Sequence, residues 1–255
     1  TFQWRHNRKV IAGATGLSLT LNSVSFDSAG YYEVIASNSV ASSSTIFSFA
    51  VGAEPGIPTE TIGWGDGFGT AASIIRDATD VVSVAAGSSA TFLLTSDGRI
   101  LTRNNAAVDL SGVSAPAVAV SMSGNSLLVL LANGTVCEVA LGSSRAAVTV
   151  ATQELYDVVQ IASGGFENYA LKSDGTVVQW PQDASTAFSA IPAWSDIITI
   201  AAGNGHVLGL NSGGTVVGFG SNAAGETSIP VGLVDVVGIA AGSQFSVALK
   251  SDGTV

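Results

Sequence analysis

A short segment recurs along the chain, and this repeat restricts the fold more than any other feature. Clear copies begin at four aspartates and a weaker copy begins at a proline; these residues are Asp80, Pro116, Asp157, Asp196 and Asp235. A glycine near the end of each copy recurs at Gly98, Gly134, Gly175, Gly214 and Gly253, giving spacings of 36, 41, 39 and 39 residues. A steady period of this kind is the signature of a repeat architecture in which each copy is one supersecondary unit.

Each copy predicts two β-strands joined by a turn, followed by a hairpin. The copy from Asp157 is DVVQIASGGFENYALKSDGTV. Val-Val-x-Ile predicts a buried strand, Ala-Ser-Gly predicts a closely packed turn, and the next apolar run predicts a returning strand. Asp-Gly pairs are typical of type I′ hairpins, in which both central residues need positive φ. We therefore expect positive φ at Gly98, Gly175 and Gly253.

The composition agrees with a globular all-β chain. Apolar residues make up 47% of the sequence and charged residues 11%, so there is ample material for a buried core. The chain also contains 30 glycines, and its runs of Val and Ile are separated by turn residues. This pattern favours strands, and helix signals are nearly absent.

The segments that follow the third strand of a repeat complete the pattern. They read GWGDGFG from Gly63, QWPQDAS from Gln179 and GFGSNAAGE from Gly218. Together with the recurring AAG and ALKSDGTV segments, they resemble the regulator-of-chromosome-condensation repeat over residues 60–255. The repeat length is also similar to that of secreted β-lactamase-inhibitor propellers. The resemblance implies a β-propeller whose Val-Val-x-Ile strands are innermost or nearly so.

The two ends of the repeat region leave two architectures open. Residues 61–69 look like the last strand of one unit, and residues 235–255 look like the first strands of another. If these parts pair, the ring closes with five blades. If they do not, the region is an open arc of about five blades from a larger propeller. The arc is favoured because the N-terminal domain also looks incomplete.

Residues 1–52 alternate apolar and polar residues in short runs and resemble an immunoglobulin-like domain. Trp4 matches the tryptophan of strand C, and Tyr32 falls at the tyrosine corner. The alternating leucines of residues 17–21 predict a strand between them. Val34 stands where the family has its second cysteine, and the first strands are missing. The sequence therefore predicts a partial β-sandwich.

Residues 53–59 contain two prolines and a glycine, and they predict a linker to the propeller at residues 60–255. The formal net charge is −10, and from Ala53 onward 6 basic residues stand against 17 acidic ones. This excess of carboxylates disfavours nucleic acid as a partner, because nucleic-acid binding depends on neutralising phosphates with Lys and Arg.

The sequence predicts neither catalysis nor a metal or cofactor. His206 is a lone histidine in its repeat loop, and no Ser-His-Asp constellation accompanies it. Cys137 is the single cysteine and is predicted to be a small buried hydrophobe. No apolar stretch reaches the roughly 20 residues that a membrane helix needs, so no membrane insertion is expected.

The most variable positions follow the small-residue turn of each repeat. Loops that vary on a uniform scaffold are where repeat proteins carry their binding surfaces, although such loops are equally often only tolerant of change. The predicted binding residues, on one rim with largely exposed side chains, are Phe166, Glu167, His206, Gln244 and Phe245. The alternative site is the opposite face, where Asp66, Phe68 and Asn222 are expected.

These observations predict a non-catalytic binding or adhesion scaffold of a secreted or cell-surface protein of bacterial type. Its loops would recognise a protein or a glycan. The resemblance to β-lactamase-inhibitor propellers leaves an enzyme inhibitor as the alternative. Nucleotide exchange on a small GTPase is the third possibility, and the acidic charge and the immunoglobulin-like neighbour argue against it.

Overall fold

The computed structural model describes most of the repeat region and part of the N-terminal region. The described residues are 1–6, 9–22, 30–37, 42–49, 61–63, 73–75, 80–87, 90–102, 107–108, 110, 113, 115–123, 126–140, 147–150, 155–181, 189–191, 194 and 196–255. Within these ranges every regular element is a β-strand, which confirms the all-β prediction.

The strands form separate antiparallel sheets. The N-terminal sheet contains β1 (Phe2–His6), β2 (Lys9–Val10), β3 (Gly30–Ser37) and β4 (Ser42–Phe49), and β5 (Thr61–Gly63) pairs with β6 (Ser73–Ile75). The repeat sheets then follow: β7 (Val81–Ala86), β8 (Thr91–Thr95) and β9 (Ile100–Thr102); β10 (Ala117–Ser123), β11 (Ser126–Leu131), β12 (Val136–Ala140) and β13 (Ala147–Val150); β14 (Val158–Ser163), β15 (Glu167–Lys172), β16 (Val177–Pro181) and β17 (Ser189–Ala190); β18 (Ile197–Ala202), β19 (His206–Asn211) and β20 (Val216–Gly220); β21 (Val236–Ala241) and β22 (Ser246–Lys250).

Each repeat sheet is a meander in which strands consecutive in sequence are neighbours. The first strands of successive sheets, β7, β10, β14, β18 and β21, contact one another in that order. They are therefore the inner strands of blades, as predicted. Among the described strands, β21 makes no substantial contact with β7, so the blades form an open propeller arc.

The larger hydrophobic cores of the described residues each lie between two blades, whereas a small cluster of Leu93, Leu101 and Val81 lies within the first repeat sheet. Val207 and Leu208 are neighbours on β19 but pack into different cores, because successive side chains of a strand point to opposite faces. The core between the third and fourth repeat sheets contains Tyr169, Leu171, Val177, Ile197, Ile200 and Val207. Cys137 is fully buried between the first two, as predicted, and burial raises the pKa of its thiol to about 11.

The repeat hairpins confirm the predicted positive φ but not the predicted turn type. Gly98, Gly175 and Gly253 have φ values of 82°, 83° and 85°, whereas the aspartate before each has no positive φ. The Gly175 N–H donates to the Lys172 carbonyl at 2.9 Å, and the Lys172 N–H donates to the Thr176 carbonyl at 2.8 Å. This pattern is a type I turn followed by a bulge glycine. The type I′ prediction is wrong because the turn spans one residue more than the Asp-Gly pair.

The first residue of each clear repeat has a left-handed backbone that the sequence did not reveal. Asp80, Asp157, Asp196 and Asp235 have φ values of 61°, 57°, 57° and 60°. Aspartate tolerates this region better than most residues do. The Asp235 carbonyl accepts a hydrogen bond from its own hairpin, from Ser251 N at 2.9 Å.

The same repeat start is also fixed to the preceding blade. The Val236 N–H donates to the Gly214 carbonyl at 3.1 Å. Gly214 has φ 79°, and a Cβ added to it would lie 3.3 Å from the backbone nitrogen of Val236. This glycine therefore serves both its own turn and the docking of the next blade.

The N-terminal sheet has the strand order β2-β1-β3-β4. Trp4 lies opposite Val34, and Tyr32 is 7% exposed and stacks on His6 with ring centroids 4.5 Å apart. The strand predicted over residues 17–21 is not formed, and Leu17 is 82% exposed. An alternating pattern forms a strand only beside a neighbour that accepts its hydrogen bonds, and no described strand borders this segment.

Candidate binding face

The turns between the first and second strands of the blades share one geometry. Gly203 N–H donates to the His206 carbonyl at 2.9 Å, and Gly242 N–H donates to the Phe245 carbonyl at the same distance. These turns lie at the end of the blades opposite the repeat hairpins, because β19 runs from one end to the other. We call residues 163–167, 202–206, 221–226 and 241–245 the loop face.

Neighbouring turns on the loop face are stacked on one another through their glycines. Gly165 N–H donates to the Gly203 carbonyl at 3.1 Å, which ties the third blade to the fourth. A Cβ on Gly203 would lie 2.3 Å from the Gly242 carbonyl oxygen, closer than real contacts allow. Only glycine fits there, so the floor of the loop face is glycine backbone, against which the side chains of Asn204, His206 and Phe245 pack.

Two phenylalanines project from this floor. Phe166 is 66% exposed and Phe245 is 62% exposed. The Phe166 ring would come within 3.8 Å of a Cβ on Gly205, while the Phe245 ring covers Gly242. The two rings therefore flank the turn of the fourth blade. Gln244 is also exposed, so the predicted exposure of these three residues is confirmed.

His206 is different, because its side chain is fully buried and the prediction of an exposed histidine is wrong. It begins β19 and lies against the next blade, where its Nε2 is 3.2 Å from Ser246 Oγ. The Ser246 hydroxyl donates to the Glu226 carbonyl at 2.7 Å. The single hydroxyl proton of Ser246 is used in this bond, so His206 must donate its Nε2–H to Ser246 Oγ. The Nδ1 atom of His206 is buried and has no hydrogen-bond partner.

This arrangement holds blades together and does not activate a nucleophile. A catalytic serine must give its proton to the histidine, whereas Ser246 gives its proton to a carbonyl. His206 and Glu167 begin equivalent strands of neighbouring blades, and Asp66, the third residue considered for catalysis, lies outside the described residues. In the described part of the chain, no three His, Cys, Asp or Glu side chains are grouped to hold a metal ion.

The segment after β20 closes over the same face. The Ser221 N–H donates to the Gly205 carbonyl at 2.7 Å, and Glu226 accepts from Ser221 Oγ at 3.3 Å and from Ala224 N at 2.8 Å. Hydrogen bonds from its own backbone N–H and that of Ala224 lower the pKa of the Glu226 carboxyl.

The expectation that Asn222 lies on the opposite face is therefore wrong. It follows the end of β20, and that end pairs with the start of β19 at His206, on the loop face. Phe68, like Asp66, lies outside the described residues.

Glu167 is half-buried, so the prediction of a largely exposed side chain is wrong for this residue, and one oxygen of its carboxylate lacks a hydrogen-bond partner. It shares a face of β15 with Tyr169, which packs into the core against the fourth blade. Burial, with a smaller contribution from the Glu167 charge, raises the pKa of Tyr169. The Oε2 atom of Glu167 is buried and has no hydrogen-bond partner. His206 occupies the position of Glu167 in the fourth blade, and its partner is Ser246 of the fifth blade. The residue of the fourth blade at the position of Ser246 is Val207.

A recess of about 600 Å³ lies at the other end of the blades, between the N-terminal sheet and the fourth and fifth repeat sheets. Its lining includes Lys9, Val10, Asn211 and Asp235, and none of the predicted binding residues. Within the described ranges, no helix is long and apolar enough to cross a membrane.

Comparison with known proteins supports the fold. Residues 197–226 match the regulator of chromosome condensation (RCC1) repeat. Prp20p from Saccharomyces cerevisiae, described for its binding to Gsp1p and histones, is 19% identical with a TM-score of 0.57, over 68% of this chain and 56% of its own. No curated protein sequence matches the chain.

Human WBSCR16 is 19% identical with a TM-score of 0.58, over 70% of this chain and 60% of its own. The ectodomain of the receptor kinase CR4 from Physcomitrella patens is 19% identical with a TM-score of 0.50, over 88% of this chain and 59% of its own. The chain thus spans under two thirds of the length of these structures. At this identity the likeness establishes an RCC1-type repeat propeller fold.

Proposed function

We propose that this chain is a non-catalytic binding module that recognises a protein partner through the loop face. The observation that carries the proposal is the pair of exposed rings, Phe166 and Phe245, on either side of a glycine floor. Exposed aromatic side chains on one surface are typical of recognition sites, because rings supply most of the binding energy at hot spots.

The construction of the face supports recognition by a rigid surface. The turns that carry the two rings are stacked through Gly165, Gly203 and Gly242, so their backbone loses little freedom when a partner binds. The activity of one propeller does not pass to another with the fold, since a single fold hosts many functions. Prp20p, which is structurally similar, is described for its binding to Gsp1p and histones, so a protein partner has a precedent on this fold.

The setting of the module is part of the proposal. The proposed location is secreted or cell-surface, with an immunoglobulin-like domain before the propeller. The immunoglobulin-like domain accords with the strand order β2-β1-β3-β4 and with Trp4 lying opposite Val34. The net charge of −10 accords with a partner other than nucleic acid.

The test is a selection of displayed random peptides on the immobilised chain. Selected peptides should bind the double variant F166S/F245S at least ~30-fold more weakly, as loss of hot-spot aromatic rings does. The matched control is V231S/V234S, which changes two exposed valines near the start of β21, at the other end of that strand from Phe245. The control should bind normally. Peptides that bind both double variants equally, or a failure to select any, would overturn the proposal.

A further inference from the structure

We infer that the loop face binds an arginine side chain of its partner, with the guanidinium over the Phe166 ring and hydrogen-bonded to the Glu167 carboxylate. The inference rests on the proposed function and names the chemistry of the partner. It starts from an exposed ring and an incompletely bonded carboxylate that are adjacent in sequence at the edge of the glycine floor.

One oxygen of the Glu167 carboxylate lacks a donor within the protein. This oxygen, Oε2, is buried without a hydrogen-bond partner, and a buried acceptor left unbonded is destabilising. The fourth blade places Val207, which has no polar side-chain atom, where the fifth blade places Ser246. A partner that supplies an N–H donor at this edge would satisfy the oxygen, once the half-buried side chain turns toward it.

The described part of the loop face contains no Lys or Arg, so a cationic donor must come from outside. The basic residues of the described blades are at the hairpin end. Arg99 bonds Asp97 at 2.7 Å, Lys250 bonds Asp252 at 3.5 Å, and Lys172 lies 4.2 Å from the centre of the Tyr156 ring. The negative charge of Glu167 is therefore not neutralised locally, and it complements a cationic partner.

The neighbouring ring selects arginine among cations. A planar guanidinium stacks on an aromatic face and presents several N–H groups in a fixed fork, whereas a lysine ammonium is compact and strongly hydrated. Phe166 offers its ring to solvent beside Gly205, a position without a side chain of its own. A guanidinium brings a positive charge to the carboxylate in addition to its N–H groups, whereas the hydroxyl groups of a glycan are neutral and are weaker candidates.

The test is an NMR titration of the 255-residue chain with N-acetyl-arginine methylamide, with the citrulline analogue as a neutral probe of the same shape. The arginine probe should shift the Phe166 and Glu167 signals saturably. Binding should be about fivefold weaker for citrulline and for the E167Q variant, since a cation–π contact and an ion pair near the surface are each modest. The F166L variant, which keeps an apolar side chain, should also weaken binding.

Equal shifts with both probes, or an E167Q variant that binds like the parent chain, would overturn the inference. Unchanged signals from the Gly203 and Gly242 amides in E167Q show that the variant keeps its fold. If peptides selected on the loop face depend on Phe166 and Phe245 but not on arginine, the proposed function stands and this inference fails. If no peptide depends on the two rings, the proposed function fails first.

Discussion

The hairpins β18–β19 and β21–β22 have nearly the same sequence pattern but different environments. Leu210 on β19 is 2% exposed, and its equivalent on β22, Leu249, is 42% exposed. The first hairpin has a blade on each side, whereas in the described chain the second is covered on one side by the fourth blade. The apolar side chains of a repeat are thus buried by the neighbouring blades and not by the repeat alone. Its neighbours supply most of its stability, as expected for a linear array of units.

The largest expected effect separates these two leucines. Leu210→Ala should lower the free energy of unfolding by about 3 kcal/mol, because it leaves a cavity between two packed blades. Leu249→Ala should cost less than about 1 kcal/mol, since much of that side chain is already in water. Urea denaturation of both variants measures the difference. Equal losses would mean that something covers the fifth blade in solution.

The repeat glycines extend the comparison to backbone docking. Gly214 and Gly253 have φ values of 79° and 85°, but a Cβ on Gly214 meets the next blade and one on Gly253 meets nothing within 4 Å. Both Ala variants should lose about 1 kcal/mol from strained φ, and Gly214→Ala should lose about 1 kcal/mol more through contact with Val236. Gly175→Val should likewise destabilise its blade. If thermal unfolding showed the same loss of stability for Gly214→Ala and Gly253→Ala, the docking role of Gly214 would be contradicted.

The contact between the fourth and fifth blades offers a smaller test. Ser246→Ala removes the acceptor of His206 Nε2–H and should destabilise by about 1–2 kcal/mol, because a buried donor loses its partner. The control is Ser243→Ala, an exposed serine in the same loop, with a cost below about 0.5 kcal/mol. The NMR signal of the ring N–H should also exchange faster with water in Ser246→Ala alone. An unchanged signal would argue against this contact.

The smallest effect concerns pH. The Asp252 carboxylate accepts from Thr254 Oγ at 2.6 Å, and Asn133 accepts from Thr135 Oγ at 2.7 Å in an equivalent turn. Hydrogen bonds from Thr254 hold the pKa of Asp252 below its ordinary value of 3.8. The carboxylate therefore stabilises its turn above that pH, and this contribution is lost as pH falls through the lowered value. The NMR signal of the Thr254 amide should follow the ionisation of Asp252 as pH is lowered. The Thr135 amide signal should not change in this way, because the side chain in its turn is the uncharged Asn133.

Much of the fold follows from the sequence, because the repeat period and the strand pattern are local properties. Positive φ at Gly175 and the burial of Cys137 were predictable for the same reason. Strand formation by the leucines of residues 17–21 was not, since it depends on a neighbouring strand. The left-handed aspartates were also hidden, because aspartate is common in many turn positions.

The candidate site was less predictable than the fold. The exposure of Phe166 and Phe245 follows from their loop positions, but the burial of His206 depends on Ser246 in the next blade, 40 residues later. The place of Asn222 on the loop face depends on the pairing of β19 with β20. Such contacts between distant residues cannot be derived from one repeat alone.

The glycine stack of the loop face has a consequence for how this surface can change over time. Gly203 cannot gain a side chain without displacing the Gly242 carbonyl, so the middle of the face is closed to substitution. Positions 166, 204, 244 and 245 point into solvent around it and can vary without disturbing a core. New specificities can therefore arise by exchanging rim residues alone, and a combinatorial library restricted to these four positions would sample partners on an unaltered scaffold.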